Sequence, residues 1–460
     1  MIASFARKGL VSLLLVLCGA FPLIPRVRAS QDITAFVHVN VLPMDREQIL
    51  EDQTVVVRRD RIHQIGPSGS VGVPTGATVI DGAGKFLMPG LSDMHAHFGH
   101  EGDLLLFVAN GVTTVRNLHG NPIHRVWREQ VRRGERLGPT IYTSGPILDG
   151  NPPNDPSFWS VASPEVARKL VNMQIAAGYD CIKVLNLIRR DVYDAIMDEA
   201  RRHGIRVVGH VPTDVGLRHV LESGQSSIEH FDGYGMASAK NGARLEGLND
   251  RYRGYFEGWD NVDETKFDEL ITLTLQAGTW ICPTLTAFRR TLMLQEDPRH
   301  PLRAPEERFL SPSLVEKWKE WKPSSALVEV ARRVEPIRER ALKRLYDAGV
   351  PLLLGTDCSM PYLVMGFSVI QELQYLVEMG LTPYQAIATG TSAAASFLGE
   401  AGEFGTVTVG RRADLLLVEA DPLGDVGNVS KRAGVMVRGQ WYPAEDLRGK
   451  IETLAHLYIP

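Results

Sequence analysis

No surplus of basic residues runs through this sequence: 50 Lys and Arg stand against 54 Asp and Glu, a net charge of -4. Phosphate neutralisation has no electrostatic footprint, so nucleic acid is excluded as a partner class. Long apolar runs are scarce too, and no series of bilayer-length stretches marks a multispan membrane protein. Cysteine is rare, with four in 460 residues, which excludes a small disulfide-stapled scaffold. What is present is ordinary globular material, 44% hydrophobic and 23% charged, long enough to bury its own core.

The one distinctive apolar run comes first. Arg7 and Lys8 precede Leu10 to Ile24, and Val27-Arg28-Ala29 offers small residues for a signal peptidase. Residues 1–29 therefore read as an export signal cut after Ala29, giving a periplasmic or secreted protein. Arg26 and Arg28 after the run leave an uncleaved anchor as the alternative, although Pro22 interrupts the run. Removing four cations takes the net charge from -4 to -8. Of the cysteines, Cys181, Cys282 and Cys358 remain, an odd and scattered set that suits burial better than pairing.

Short apolar strands separated by Gly and Pro clusters fill the stretch after the signal: Ala35-Val41, Gln53-Arg58, Arg61-Ile65 and Ala77-Ile80. The same texture returns at Gly405-Val409, Asp414-Glu419, Gly434-Val437 and Gln440-Tyr442. Together residues 30–86 and 401–460 predict one discontinuous β-sandwich domain. Between them, residues 87–400 alternate strands with amphipathic helices. Strands are expected around His95 and at Gly111-Asn117, Thr140-Ser144, Cys181-Leu185, Val207-Val211, Ser227-His230, Trp280-Leu285 and Leu352-Thr356. Helices fall between them, as at Arg190-His203, where Val192, Ile196 and Ala200 share a face. Eight strand-helix units in this order predict an α/β fold, a parallel (β/α)8 barrel.

Chemistry concentrates at the ends of those strands. His95 and His97 stand two apart on a strand, so both face one side, a geometry that suits a divalent metal. Alone, the pair could equally be structural. His210, His230 and Asp357 each close or follow a predicted strand, on the face where barrel enzymes build their sites. Lys183 lies inside the apolar strand Cys181-Ile182-Lys183-Val184, where an unpaired ammonium is costly. Either a carboxylate neutralises it, or CO₂ carbamylates it to an anion able to bridge two metals.

This set resembles the binuclear branch of the amidohydrolase superfamily. Within that branch it is similar to imidazolonepropionase-related and Xaa-Pro-dipeptidase/ochratoxinase-like amidohydrolases. The resemblance implies that His95 and His97 join Asp357 on one metal and His210 and His230 hold the other. It further implies that carbamylated Lys183 bridges two divalent ions, zinc by first choice. It implies hydrolysis of an amide-type C–N bond by hydroxide, with Asp357 moving the proton to the leaving nitrogen.

Departures narrow the activity. Val211-Pro212-Thr213 follows His210 where deaminases carry Glu three residues on, and Pro212 stands where related dipeptidases often carry Tyr. Asp149-Gly150-Asn151-Pro152-Pro153 replaces a Gly-Gly-His segment, and Ile370-Gln371-Glu372 a helix His. Long segments rich in aromatics (Phe158, Trp159; Tyr234, Tyr252, Tyr255, Phe256, Trp259; Trp318, Trp321) favour a small-molecule substrate with a bulky apolar or aryl group. No membrane partner is implied beyond an N-terminal anchor, and a homo-oligomer is compatible with the sequence. Two other readings stay open: a one-metal hydrolase of cyclic amides, of imidazolonepropionase type, and a catalytically inactive binding protein of the same fold.

Overall fold

The computed structural model describes residues 33–240, 257–289, 305–320 and 325–457. The expected export signal, Tyr252, Tyr255, Phe256 and Trp321 lie outside those residues.

The first strands are β1 (Ile33–Val41), β2 (Leu50–Arg58), β3 (Arg61–Pro67), β4 (Thr78–Asp81) and β5 (Phe86–Pro89). β1, β2 and β3 pair antiparallel, while β4 and β5 run parallel to β1. Period-two alternation divides β2 between two cores. Val55 and Val57 pack with Phe36 and Val41, while Val56 packs with Ala35 and Val71 on the other face.

The middle of the chain supplies β6 (Leu91–Ala96), β7 (Val112–Asn117), β8 (Thr140–Thr143), β9 (Leu148–Asp149), β10 (Trp159–Ser160), β11 (Cys181–Val184), β12 (Arg206–Gly209), β13 (Ser227–Glu229) and β14 (Trp280–Cys282). Their pairings are all parallel, β6-β7-β8 and β10-β9-β11-β12-β13-β14. Three isolated parallel bridges link these runs: Ser144 to Cys181, Ile281 to Leu352, and Ala96 to Cys358. Parallel neighbours require a crossover, and helices supply most of them. Arg190–His203 buries Val192, Ile196 and Ala200 and stops at Gly204, whose φ of 65° closes the last turn. Ser163 caps Pro164–Ala176, and Asn121 caps Pro122–Arg132.

The remaining strands, β15 (Leu415–Val418), β16 (Arg432–Val437) and β17 (Gln440–Pro443), return to the first sheet. β15 pairs antiparallel with β5, so one eight-stranded sheet draws from both ends of the described chain.

Several expectations need correction. Gly405-Val409 is turn and bend rather than strand. Gly405 takes a φ of 87°, and a Cβ there would lie 2.7 Å from the Thr391 carbonyl oxygen, so the chain turns instead of extending. Leu352-Thr356 pairs through an isolated bridge to Ile281 rather than a continuous ladder, because Leu354 N–H donates to the Thr389 carbonyl at 3.2 Å and Asp93 captures Thr356 N–H and Oγ1 at 3.1 and 2.7 Å. The chain adds a final helix, Ala444–Leu457, to the expected strands, and Leu447, Ile451 and Ala455 are its buried positions. Among the described residues no helix is long and apolar enough to cross a membrane.

Candidate active site

Six polar side chains meet beyond the C-terminal ends of the parallel strands. His95 sits on β6 and Lys183 on β11, while His97, His210 and His230 follow β6, β12 and β13. Asp357 ends the extended segment. All six line one cavity of about 200 Å³. The Nε2 atoms of His95 and His97 lie 3.3 and 3.0 Å from the same Asp357 Oδ1. The His230 ring lies 4.6 Å from that of His95 and 4.8 Å from that of His210.

Local backbone aims these groups. His230 and Asp357 adopt φ of 64° and 58°, left-handed values that non-glycine residues rarely take. Each turn ends the extended run and swings the side chain inward. The cost is borne by surrounding contacts, and such outliers cluster at working sites. Thr284, at φ 49°, shows the same device and meets His230 Nδ1 through Oγ1 at 2.7 Å. Glu372, on the helix Phe367–Glu378, holds that turn by accepting from Leu285 N–H, Thr286 N–H and Thr286 Oγ1 at 2.7 to 2.8 Å.

Behind the histidines lies a buried polar layer that the sequence pattern did not reveal. Glu229 accepts from His95 Nδ1–H at 2.7 Å. Arg116 donates to both its oxygens at 3.0 and 3.1 Å, and Ser227 Oγ donates at 2.5 Å. Arg116 is itself fixed by the Met94 carbonyl and lies over the Phe397 ring. Burial opposes the charge of Glu229, yet Arg116 and His95 outweigh it and hold the carboxyl far below its ordinary range. An ionised Glu229 accepts the Nδ1–H of His95, which fixes the ring and points Nε2 into the cavity. Asp232 does a related task at His210: its Oδ2 accepts from Val211 N–H and Asn186 Nδ2 at 3.0 Å and stands 3.7 Å from His210 Nδ1.

The donor set suits divalent cations. Burial drives His97 down to about 4 and His230 well below its ordinary pKa, so both imidazoles are neutral and able to donate lone pairs. His95, His97 and Asp357 offer ligand atoms within 4.8 Å of one another. In a second close group, His95, Glu229 and Cys282, the His95 Nδ1 and the Glu229 carboxylate are already engaged with each other and with Arg116. Lys183 is the clearest sign. Its Nζ is buried and has no hydrogen-bond partner among the described residues, and burial lowers its pKa to about 8 despite Glu229 and Asp357 nearby. An amine held partly neutral in such surroundings is a nucleophile rather than a fixed charge.

Cys358 is buried, its Sγ 3.9 Å from Asp93 Oδ2, and burial raises its thiol pKa well above the ordinary value. That suits packing rather than nucleophilic attack. The aromatic segments divide. Phe158 lines the cavity, as does His119, which sequence reasoning missed. Tyr234, Trp259 and Trp318 are buried core instead: Trp259 packs on Phe231 at 5.1 Å, and Trp318 Nε1–H donates to the Ser359 carbonyl at 3.2 Å.

A sequence profile of the amidohydrolase family matches residues 86–442. The chain is 24% identical to the ochratoxinase of Aspergillus niger over 407 residues, covering 74% of this chain and 71% of that one. Its structure is similar to that of bottromycin amidohydrolase, with a TM-score of 0.74 and 25% identity over 93% of this chain and 91% of the other. It also shares its fold with a Xaa-Pro dipeptidase carrying bound methionine, at a TM-score of 0.67 and 20% identity over 89% and 100% of the two chains.

Proposed function

The chain belongs to the amidohydrolase family, and from that premise we propose an exported hydrolase that cleaves an amide-type C–N bond with two divalent cations. The single observation that carries the two-cation reading is Lys183, buried amid four histidines and an aspartate with no hydrogen-bond partner among the described residues. His95, His97 and Asp357 would hold one cation, His210 and His230 the other, and carbamylated Lys183 would lie between them. A one-cation enzyme would leave Lys183 and His230 without a task. The circuit of parallel pairings and bridges supports a (β/α)8 barrel over residues 87–400. Residues 30–86 and 401–460 would then form the accompanying β domain, with β5 carrying its first part on to Pro89.

Zinc is the first choice, since imidazole nitrogens dominate the donors. Cations bound there would make water acidic enough to attack near neutral pH and would polarise the scissile carbonyl. This chain's residues do the rest. Asp357 accepts the proton of the attacking water and returns it to the leaving nitrogen, a task that suits a carboxylate held ionised beside His95 and His97. Glu229 and Arg116 keep His95 in one tautomer, and Thr284 orients His230. Ile147, Phe158, Leu185 and Met360 give the cavity apolar walls that favour a bulky apolar or aryl group.

The test is hydrolysis of a panel of N-acyl amino acids, dipeptides, lactams and aryl esters by zinc-loaded protein. Cleavage of an amide, abolished by chelation and restored by zinc, is expected. Failure to bind zinc, or hydrolysis indifferent to chelation, would overturn the reading. For export, N-terminal sequencing of protein from the periplasm or medium should begin at Ser30. A soluble cytosolic protein beginning at Met1 would contradict it.

A further inference from the structure

His119 lies outside the six candidate ligands yet lines the same cavity. Its backbone is fixed on both sides. Asn117 Oδ1 accepts from His119 N–H at 3.3 Å, and Asn117 Nδ2 donates to the His119 carbonyl at 3.3 Å and to Thr143 Oγ1 at 3.1 Å. At Gly120 a Cβ would fall 1.7 Å from the Ser144 carbonyl oxygen, so the loop lies flat against the next strand end and only glycine fits. The His119 ring is thereby held edge-on to two neighbours, 6.2 Å from His97 and 5.3 Å from Phe158. No hydrogen bond from its ring nitrogens is made among the described residues.

Phe158 is also fixed. It sits on the segment between β9 and β10, where Asp149 accepts from Asn154 N–H at 2.8 Å and from Leu187 N–H at 3.0 Å. Phe158 N–H donates to the Asp155 carbonyl at 3.0 Å. Along one side of the cavity the order is therefore ligand, free imidazole, aromatic face. An imidazole in that position offers a polar ring edge to a bound ligand, between the His97 ring and Phe158. That order matches an amide flanked by an aromatic ring.

We propose that His119 and Phe158 form an acyl-side subsite, in which Phe158 packs edge-to-face against an aryl group and His119 hydrogen-bonds the adjoining amide. The substrate class is then an aroyl or arylacyl amide. The inference rests on the two-cation reading, because it places the scissile carbonyl beside His97.

Two small hydroxamates separate the ideas, since both offer the same chelating group and only one carries a ring. Calorimetry on zinc-loaded protein should find benzohydroxamate bound about tenfold tighter than acetohydroxamate, the scale of one well-placed aromatic contact. Phe158→Ala should bring that ratio towards one. His119→Phe, with zinc content unchanged, should weaken both ligands several-fold. Equal binding of the two hydroxamates, or a ratio that survives Phe158→Ala, would overturn the aryl subsite. Undiminished binding to His119→Phe would overturn the role of His119. Failure of acetohydroxamate to bind the wild-type protein would overturn the two-cation reading, and the subsite with it.

Discussion

Lys183→Arg is expected to fold, to bind far fewer than two zinc ions per chain, and to lose nearly all hydrolysis. Lys183→Ala should fail in the same way. Guanidinium keeps its proton at any working pH and cannot become an anionic carbamate, so restoring a positive charge restores nothing. Alanine leaves a gap beside His210 and His230, and acetate added to that variant should recover part of the zinc by filling the vacated place. Metal content and hydrolysis rate, measured side by side, check all three. The position also supplies its own folding control. The pKa of Lys183 is lowered by burial to about 8, so below that value the folded protein carries the full cost of a buried ammonium. Between about pH 8 and the ordinary lysine value of 10.5 the unfolded chain binds more protons than the folded one, and stability rises with pH. Metal-free Lys183→Met should therefore exceed the metal-free wild type in stability at pH 7, by up to about 3 kcal/mol. The gap should close as pH climbs through that window, which chemical denaturation at several pH values would follow.

Asp357→Asn should behave differently. The amide keeps the size and hydrogen-bonding reach of the carboxylate, so zinc held by His210 and His230 should be retained. Asparagine cannot take a proton from water and pass it on. Turnover should fall by about 10² to 10⁴-fold, the usual worth of a positioned general base or acid. Calorimetric zinc binding beside kcat separates the outcomes. If kcat falls only in proportion to lost zinc, Asp357 is a ligand alone and another group moves the proton.

Much of this site was legible because its residues obey local rules. His95 and His97 share a strand face by period-two alternation. His210, His230 and Asp357 each follow an apolar run, and Lys183 stands out as a charge within one. The layer behind them was hidden for a physical reason. Arg116 and Glu229 are 113 positions apart and meet only because their strands converge on the same interior. The charge of Glu229 within Ser227-Ile228-Glu229-His230 was the available hint, since a buried strand carries a carboxylate only where partners await it. His119 gave no hint, because loops carry no period. At Gly405-Val409 alternation misled, since a left-handed glycine turns the chain. In Ala444–Leu457 a helical spacing of Leu447, Ile451 and Ala455 was present but overshadowed by the strands before it.

The central claim is that Lys183 carries a carbamate between two cations. Carbon-13 NMR of zinc-loaded protein equilibrated with labelled bicarbonate tests it directly. One carbamate resonance is expected in the wild type, absent from Lys183→Arg and lost from the wild type when zinc is removed. A wild-type enzyme that holds two zinc ions and turns over substrate, yet shows no such resonance, would contradict the account.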